Sequence, residues 1–203
     1  MGGEGELIMM TSFKNLLRVS VIVPAFALSV IGVSAPVLAA DLWQVNADDS
    51  SIEFTGTQLG AEFDGKFKTF TAEIAFAPDD LAGSKVRVLI DIASADTGNA
   101  DRDSQIISAD WFDAGQWPTA KFETKSFVEV APGKYEAIAD LTIRDVTQEV
   151  VLPFDLEISD RKAEVEGRLT IKRTDFGVGQ GQWSDTSQVG DAVTIKIDID
   201  ASR

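Results

Sequence analysis

Near the C-terminus Val193, Ile195, Ile197 and Ile199 alternate with Thr194, Lys196, Asp198 and Asp200, and the same period of two recurs along most of the chain. That period belongs to a strand with one dry face and one wet face. Segments with this pattern cover 51–58, 67–76, 85–94, 120–130, 134–143, 146–158, 163–173 and 192–201. Turn residues such as Pro132-Gly133 and Asp145 separate them at hairpin distances. One helix is predicted, over 99–110, with Asn99 or Asp101 as its N-cap. It is too short and too polar to cover a sheet. About eight strands, each apolar on one side, must therefore bury those sides in a barrel or a sandwich. Long consecutive strands joined by tight turns favour the barrel, and eight strands leave room inside for side chains or one elongated ligand. The predicted fold is all-β: an antiparallel up-and-down, lipocalin-like barrel of about eight strands with one short helix.

Composition removes most chemistry. The 203 residues include no Cys and no His, so there is no thiol nucleophile, no disulfide framework, no histidine-based triad and no HExxH zinc site. Met1, Met9 and Met10 are the only methionines, and all three lie ahead of the alternating part. Lys14 and Arg18 precede an uncharged run from Val19 to Ala40 that ends in small residues, which reads as a secretory signal peptide over 1–39, with cleavage after Ala39 or Ala40 and Met10 as an alternative start. The domain is then 40–203, and the expected location is the periplasm. The net charge of −15 repels phosphate backbones, so nucleic acid is excluded as a partner.

The segment 163–173 runs into Thr174-Asp175-Phe176-Gly177-Val178-Gly179-Gln180-Gly181-Gln182-Trp183. Its glycines invite comparison with nucleotide loops, but they run Gly-x-Gly-x-Gly, no Lys-Ser/Thr pair and no amphipathic helix follow, and a phosphate cradle needs the helix N-terminus as much as the glycines. A glycine-rich connection at the mouth of a barrel is a candidate ligand gate.

Several pieces, in order, resemble the YceI-like family of secreted polyisoprenoid-binding proteins. They are Trp43, Ser51-Ile52-Glu53-Phe54, Leu59-Gly60, Gly65-Lys66-Phe67, Ser94 with Thr97, Arg102-Asp103, Ser108 to Asp113, Pro118 with Phe122, Leu141 to Arg144, Leu152-Pro153 and Arg173 to Gly179. The resemblance implies an elongated barrel with an apolar tunnel for a long isoprenoid chain. Asp49 and Gln58 stand where histidines are common in the family, and Asp145 stands where a turn glycine is frequent. The chain looks most like members found near diheme b-type cytochromes, which implies a quinone connection.

Candidate ligand contacts are the rings Phe54, Phe67, Phe70, Phe76, Phe122, Phe154, Phe176 and Trp183 and the aliphatic Ile74, Val88, Ile90, Leu141, Leu169 and Ile171. Gln58 and Arg173 are placed at the tunnel mouth with Asp175, and Arg173 is expected to pair with Asp175, another carboxylate or a ligand headgroup. No cofactor, metal or catalytic residue is expected. Candidate partners are an isoprenoid or quinone-like lipid, a membrane b-type cytochrome and a second copy of the chain. Two rivals stand beside the carrier. A hydrolase would use Asp198 and Asp200, about 7 Å apart along a strand. A non-enzymatic interaction module would have a solid core and dock a membrane redox partner.

Overall fold

Eleven antiparallel strands form one sheet in the computed structural model, which describes residues 42–203. They are β1 (Leu42–Val45), β2 (Ser51–Gln58), β3 (Ala61–Phe67), β4 (Phe70–Ala75), β5 (Lys85–Asp91), β6 (Ala95–Asp96), β7 (Thr119–Ala131), β8 (Lys134–Ile143), β9 (Val146–Ser159), β10 (Lys162–Lys172) and β11 (Ala192–Ser202). One helix, α1 (Ala100–Ile106), lies between β6 and β7. The signal peptide expected over 1–39 falls outside the described residues.

The first six strands are three long staves, each broken once. β2 pairs with β3 and β1 with β4, then β3 with β6 and β4 with β5, so each break falls beside the next. Ser94 ties two of these kinks together. Its hydroxyl donates to Asp91 O at 2.6 Å and accepts the Thr69 amide at 3.1 Å. Counted as staves, the ring runs β1/β2, β3/β4, β5/β6, β7, β8, β9, β10 and β11, and closes where Gln44 and Val45 meet Ser202 and Ala201. The result is the closed eight-stave, up-and-down barrel that the alternation predicts.

Several boundaries differ from expectation, and the strand expected over 85–94 ends at Asp91, with Ile92–Ser94 in a 3-10 turn. The stretch 67–76 is the junction of β3 and β4 rather than one strand, and β3 begins at Ala61. In β3 Gly65 occupies an inward position that a side chain would otherwise mark. A Cβ there would collide with the Phe54 ring, which lies across it from the paired strand. The helix ends at Ile106 instead of 110, with the Ile107 amide donating back to Asp103 O and Gln105 O. Its start is as expected: the Asn99 side chain accepts the amides of Asp101 and Arg102. The corner after α1 is held from the β8–β9 turn. Arg144, at φ +57, donates to the carbonyls of Ala109 and Trp111 and lies 4.7 Å over the Trp117 ring. The left-handed residue of that turn is therefore Arg144, which is why Asp145 needs no glycine there.

One seam interrupts the wall. β9 and β10 pair only from Ser159↔Lys162 to Phe154↔Gly167, and above that level β9 pairs with β8 alone and β10 with β11 alone. Pro153 supplies the reason. The Leu156 amide donates to Gly133 O on the β8 side, so Pro153, three positions earlier, turns its backbone toward β10. With no N–H it cannot continue the ladder.

Packing divides the interior into two clusters, one at each end. The lower one gathers Trp43, Phe76, Phe127, Tyr135 and Phe154. The upper one gathers Ile92, Trp111, Leu141, Ile143, Phe176, Val178 and Val189.

Candidate functional site

Inside the barrel, bordered by most of the lower cluster and by Leu141 of the upper one, lies a cavity of about 160 Å³. The inward rows of nearly every stave reach it: Phe70, Ala72 and Ile74 on β4, Val86, Val88 and Ile90 on β5, Leu152, Phe154, Leu156 and Ile158 on β9, and Ile195, Ile197 and Ile199 on β11. Many of these side chains point inward yet are only half-buried, because the space they face is open.

The lining has two polar side-chain groups, and both are occupied. Trp43 Nε1 donates to Phe76 O at 2.9 Å. Thr124 Oγ1 accepts the Val86 amide at 2.8 Å and donates to Val86 O at 3.3 Å. The buried nitrogens without an acceptor, on Arg102, Trp111 and Arg144, do not border the cavity. The cavity thus offers a guest apolar surface and no free side-chain hydrogen bond. Among the described residues no group of three His, Cys, Asp or Glu could hold a metal ion.

Of the sequence-derived candidates, the structure brings Phe70, Ile74, Phe76, Val88, Ile90, Phe122, Leu141, Phe154 and Leu169 together around this cavity. It places the others elsewhere. Phe54 and Phe67 pack on each other at 5.3 Å, and Phe67 meets the Phe112 ring edge-on at 6.4 Å. Ile171 and Trp183 pack against the upper cluster, and Phe176 is fully buried within it. Gln58 is exposed on an isolated bridge to Val189. Sequence reasoning passed over Trp43, Ala72, Phe127, Ala137 and the β11 row as site residues. The alternation marked that row as inward, but nothing local says which inward residues meet a void.

Arg173 departs furthest from expectation. It opens a 3-10 turn (Arg173–Phe176) rather than ending β10, and it is 3% exposed. Its partner is no carboxylate: Asp175 lies in solvent. Instead the guanidinium donates to Gly190 O (3.0 Å), Val178 O (2.9 Å), Gly179 O (3.4 Å), Trp183 O (2.7 Å) and Val189 O (2.9 Å), and stands 5.3 Å over the Trp111 ring. A planar group with five N–H donors can gather carbonyls that no backbone ladder reaches. Gly179, at φ +84, leaves the room this needs, since a Cβ there would overlap the guanidinium. The glycine-rich segment expected as a gate is therefore a riveted cap. Further bonds hold it: Gly179 and Gln180 amides to Asp110 O (2.9 and 2.6 Å), Gly190 to Thr57 O (2.8 Å), and Leu59 to Gln188 O (2.7 Å).

Burial pushes the Arg173 guanidinium below its ordinary range, and the nearby Asp191 carboxylate opposes that shift. Burial also pushes the Asp191 carboxyl upward, but the Thr174 hydroxyl (2.7 Å) and amide (3.2 Å), with Arg173 and Lys172 nearby, reverse it and hold the group below 3.8. A carboxyl held low in the folded state contributes stability that is present above its ordinary value and lost as pH falls through the folded one. Asp191→Asn is thus expected to lower the melting temperature at neutral pH, with a gap to wild type that narrows below about pH 4. Paired melting curves across that range test it, and a gap independent of pH would refute it.

A closed up-and-down barrel around an apolar, hydrogen-bond-free cavity defines a lipocalin-like binding barrel as the class. Residues 43–201 match the YceI-like domain, and the chain belongs to the YceI-like family. A UPF0312 protein of Vibrio vulnificus is 33% identical over 137 residues, 67% of this chain and 72% of that protein. One from Ectopseudomonas mendocina is 32% identical over 145 residues, 68% and 74% of the two chains. The crystal structure of Burkholderia cenocepacia BcnA is similar with a TM-score of 0.76 at 33% identity, covering 78% of this chain and all of that one. A polyisoprenoid-binding domain from Saccharophagus degradans shares the fold at a TM-score of 0.64 and 14% identity, covering 79% and 97%.

Proposed function

We propose that the protein is a periplasmic carrier that binds a long-chain polyisoprenoid, an isoprenoid quinone or a related lipid along the barrel axis. The observation that carries this reading is the cavity: its lining is apolar and its two polar groups are spent on the backbone. Each Å² of chain moved from water to such a surface contributes roughly 25 cal/mol, so a tail burying several hundred Å² gains on the order of ten kcal/mol before the entropic costs of binding. No catalytic group is required. The S. degradans relative is described as polyisoprenoid-binding, which agrees with this chemistry. The resting space is about that which holds one aromatic ring, roughly 150 Å³. Threading a long chain therefore requires half-buried rings such as Phe70 and Phe122 to rotate aside. Native mass spectrometry of protein taken from the periplasm, followed by organic extraction, tests the reading. A stoichiometric isoprenoid or quinone-like lipid is expected, and an apo mass with no uptake of added polyprenol would overturn it.

A docking role alongside carriage has its own support. On the outer face of β9, β10 and β11, Glu166 lies opposite both Asp155 and Asp198, and Glu164 opposite both Glu157 and Asp200. Like charges directly opposite destabilise a sheet. Such a face fits a basic patch on a membrane partner such as a b-type cytochrome. It also accounts for Asp198 and Asp200 as solvent-side charges rather than a hydrolytic pair. Binding that weakens steeply with salt is the expected signature.

A further inference from the structure

Resting on the reading of the cavity as a lipid site, the geometry points to a lateral way in: the chain passes through the seam between β9 and β10, above Phe154 and Gly167, and not through either end of the barrel. Each end is held by contacts that an entering chain would have to break. At the lower end Phe76 packs edge-on against Phe127 (5.0 Å), Tyr135 (5.6 Å) and Phe154 (6.3 Å), with Trp43 bonded to Phe76 O. At the upper end the cap carries the five Arg173 bonds and the backbone bonds to Asp110, Thr57 and Leu59. Opening that end would break all of these and strand a buried cation.

The seam makes no such demand. From Pro153 to Val146 on one lip and from Arg168 to Lys172 on the other, no backbone pairing joins the two strands. The inward side chains of the two lips at this level are apolar: Val150, Leu169 and Ile171, each half-buried and packed against the upper cluster. A single side-chain hydrogen bond spans the seam near the top, from Gln148 Nε2 to Asp175 O at a long 3.4 Å. Leu169 lines the cavity and also belongs to the seam, so parting the lips leads directly to the lipid space. As the lips part, their apolar side chains exchange packing on each other for packing on the passing chain, whereas backbone hydrogen bonds broken at an end find no substitute in a lipid tail. Pro153 keeps the seam from zipping shut.

The chain contains no cysteine, so introduced pairs are its only thiols. Val151 and Thr170 are exposed on opposite lips, and the β9–β10 register, continued upward, sets them opposite each other. Val151→Cys with Thr170→Cys staples the seam, by a disulfide or by a short bis-thiol linker if the lips stand too far apart for one. Leu59→Cys with Gln188→Cys staples the cap instead. Loading and release of a long-chain polyprenol are then followed from neutral phospholipid vesicles by native mass spectrometry. The seam staple is expected to slow both at least tenfold, with the disulfide form recovering on reduction, while the cap staple leaves both within about twofold of the unmodified protein. Blocking by the cap staple alone, or by neither, overturns the lateral route. If the unmodified protein takes up no polyprenol, the lipid reading itself falls, and the route with it.

Discussion

Ala72→Phe is expected to abolish lipid uptake while leaving the barrel folded. Ala72 sits on β4 opposite Val88, points into the cavity and is only half-buried because the space before it is open. A phenyl ring needs roughly 150 Å³, close to the whole of the 160 Å³ cavity. Lipid occupancy should fall at least tenfold, equivalent to about 1.4 kcal/mol or more of binding free energy. Filling a void does not cost stability in the way that creating one does, so the melting temperature without added lipid should hold or rise. Native mass spectrometry with added polyprenol, read beside a melting curve, separates the two effects. Undiminished uptake by a folded variant would show that the ligand lies elsewhere.

Arg173→Met should have the largest effect on stability. The methionine replaces only the apolar stem and has no donors, so the carbonyls of Val178, Gly179, Trp183, Val189 and Gly190 lose the group that gathers them. Removing the charged member of a buried network costs roughly 3–5 kcal/mol. At about 2–4 °C per kcal/mol for a domain of this size, the melting temperature should drop by on the order of 10 °C. Arg173→Lys should recover little, since an ammonium has three donors and no planar fork. Limited proteolysis gives the local signature: cleavage within 174–190 should appear well below the melting temperature. A variant that melts with wild type and resists cleavage would show that the cap is held by its apolar packing on Trp111 and Phe176.

What the sequence alone determined is the barrel and the apolar character of its interior. Alternation at period two assigns a dry face to each stave, and eight dry faces with one small helix must be buried against one another, in a barrel or a sandwich. Tight turns such as Pro132-Gly133 then favour an up-and-down order and with it the barrel. These are local properties, written in consecutive residues. The absence of histidine and cysteine is equally legible, and it sets aside the commonest catalytic and metal chemistry on composition alone.

Tertiary structure decided everything that depends on which inward residues meet one another. Phe70 and Phe54 both stand in inward rows, yet one faces the cavity and the other packs on Phe67 over Gly65. Arg173 reads as a cation in search of a carboxylate because periodicity cannot show that the following 17 residues fold back and present five carbonyls to it. The seam is a middle case. Pro153 is visible in the sequence, but whether its missing N–H interrupts a ladder depends on which neighbour that side of the strand faces, and register is a relation between strands. Strand period follows from local stereochemistry, whereas voids, rivets and seams arise from contacts between residues far apart in the chain.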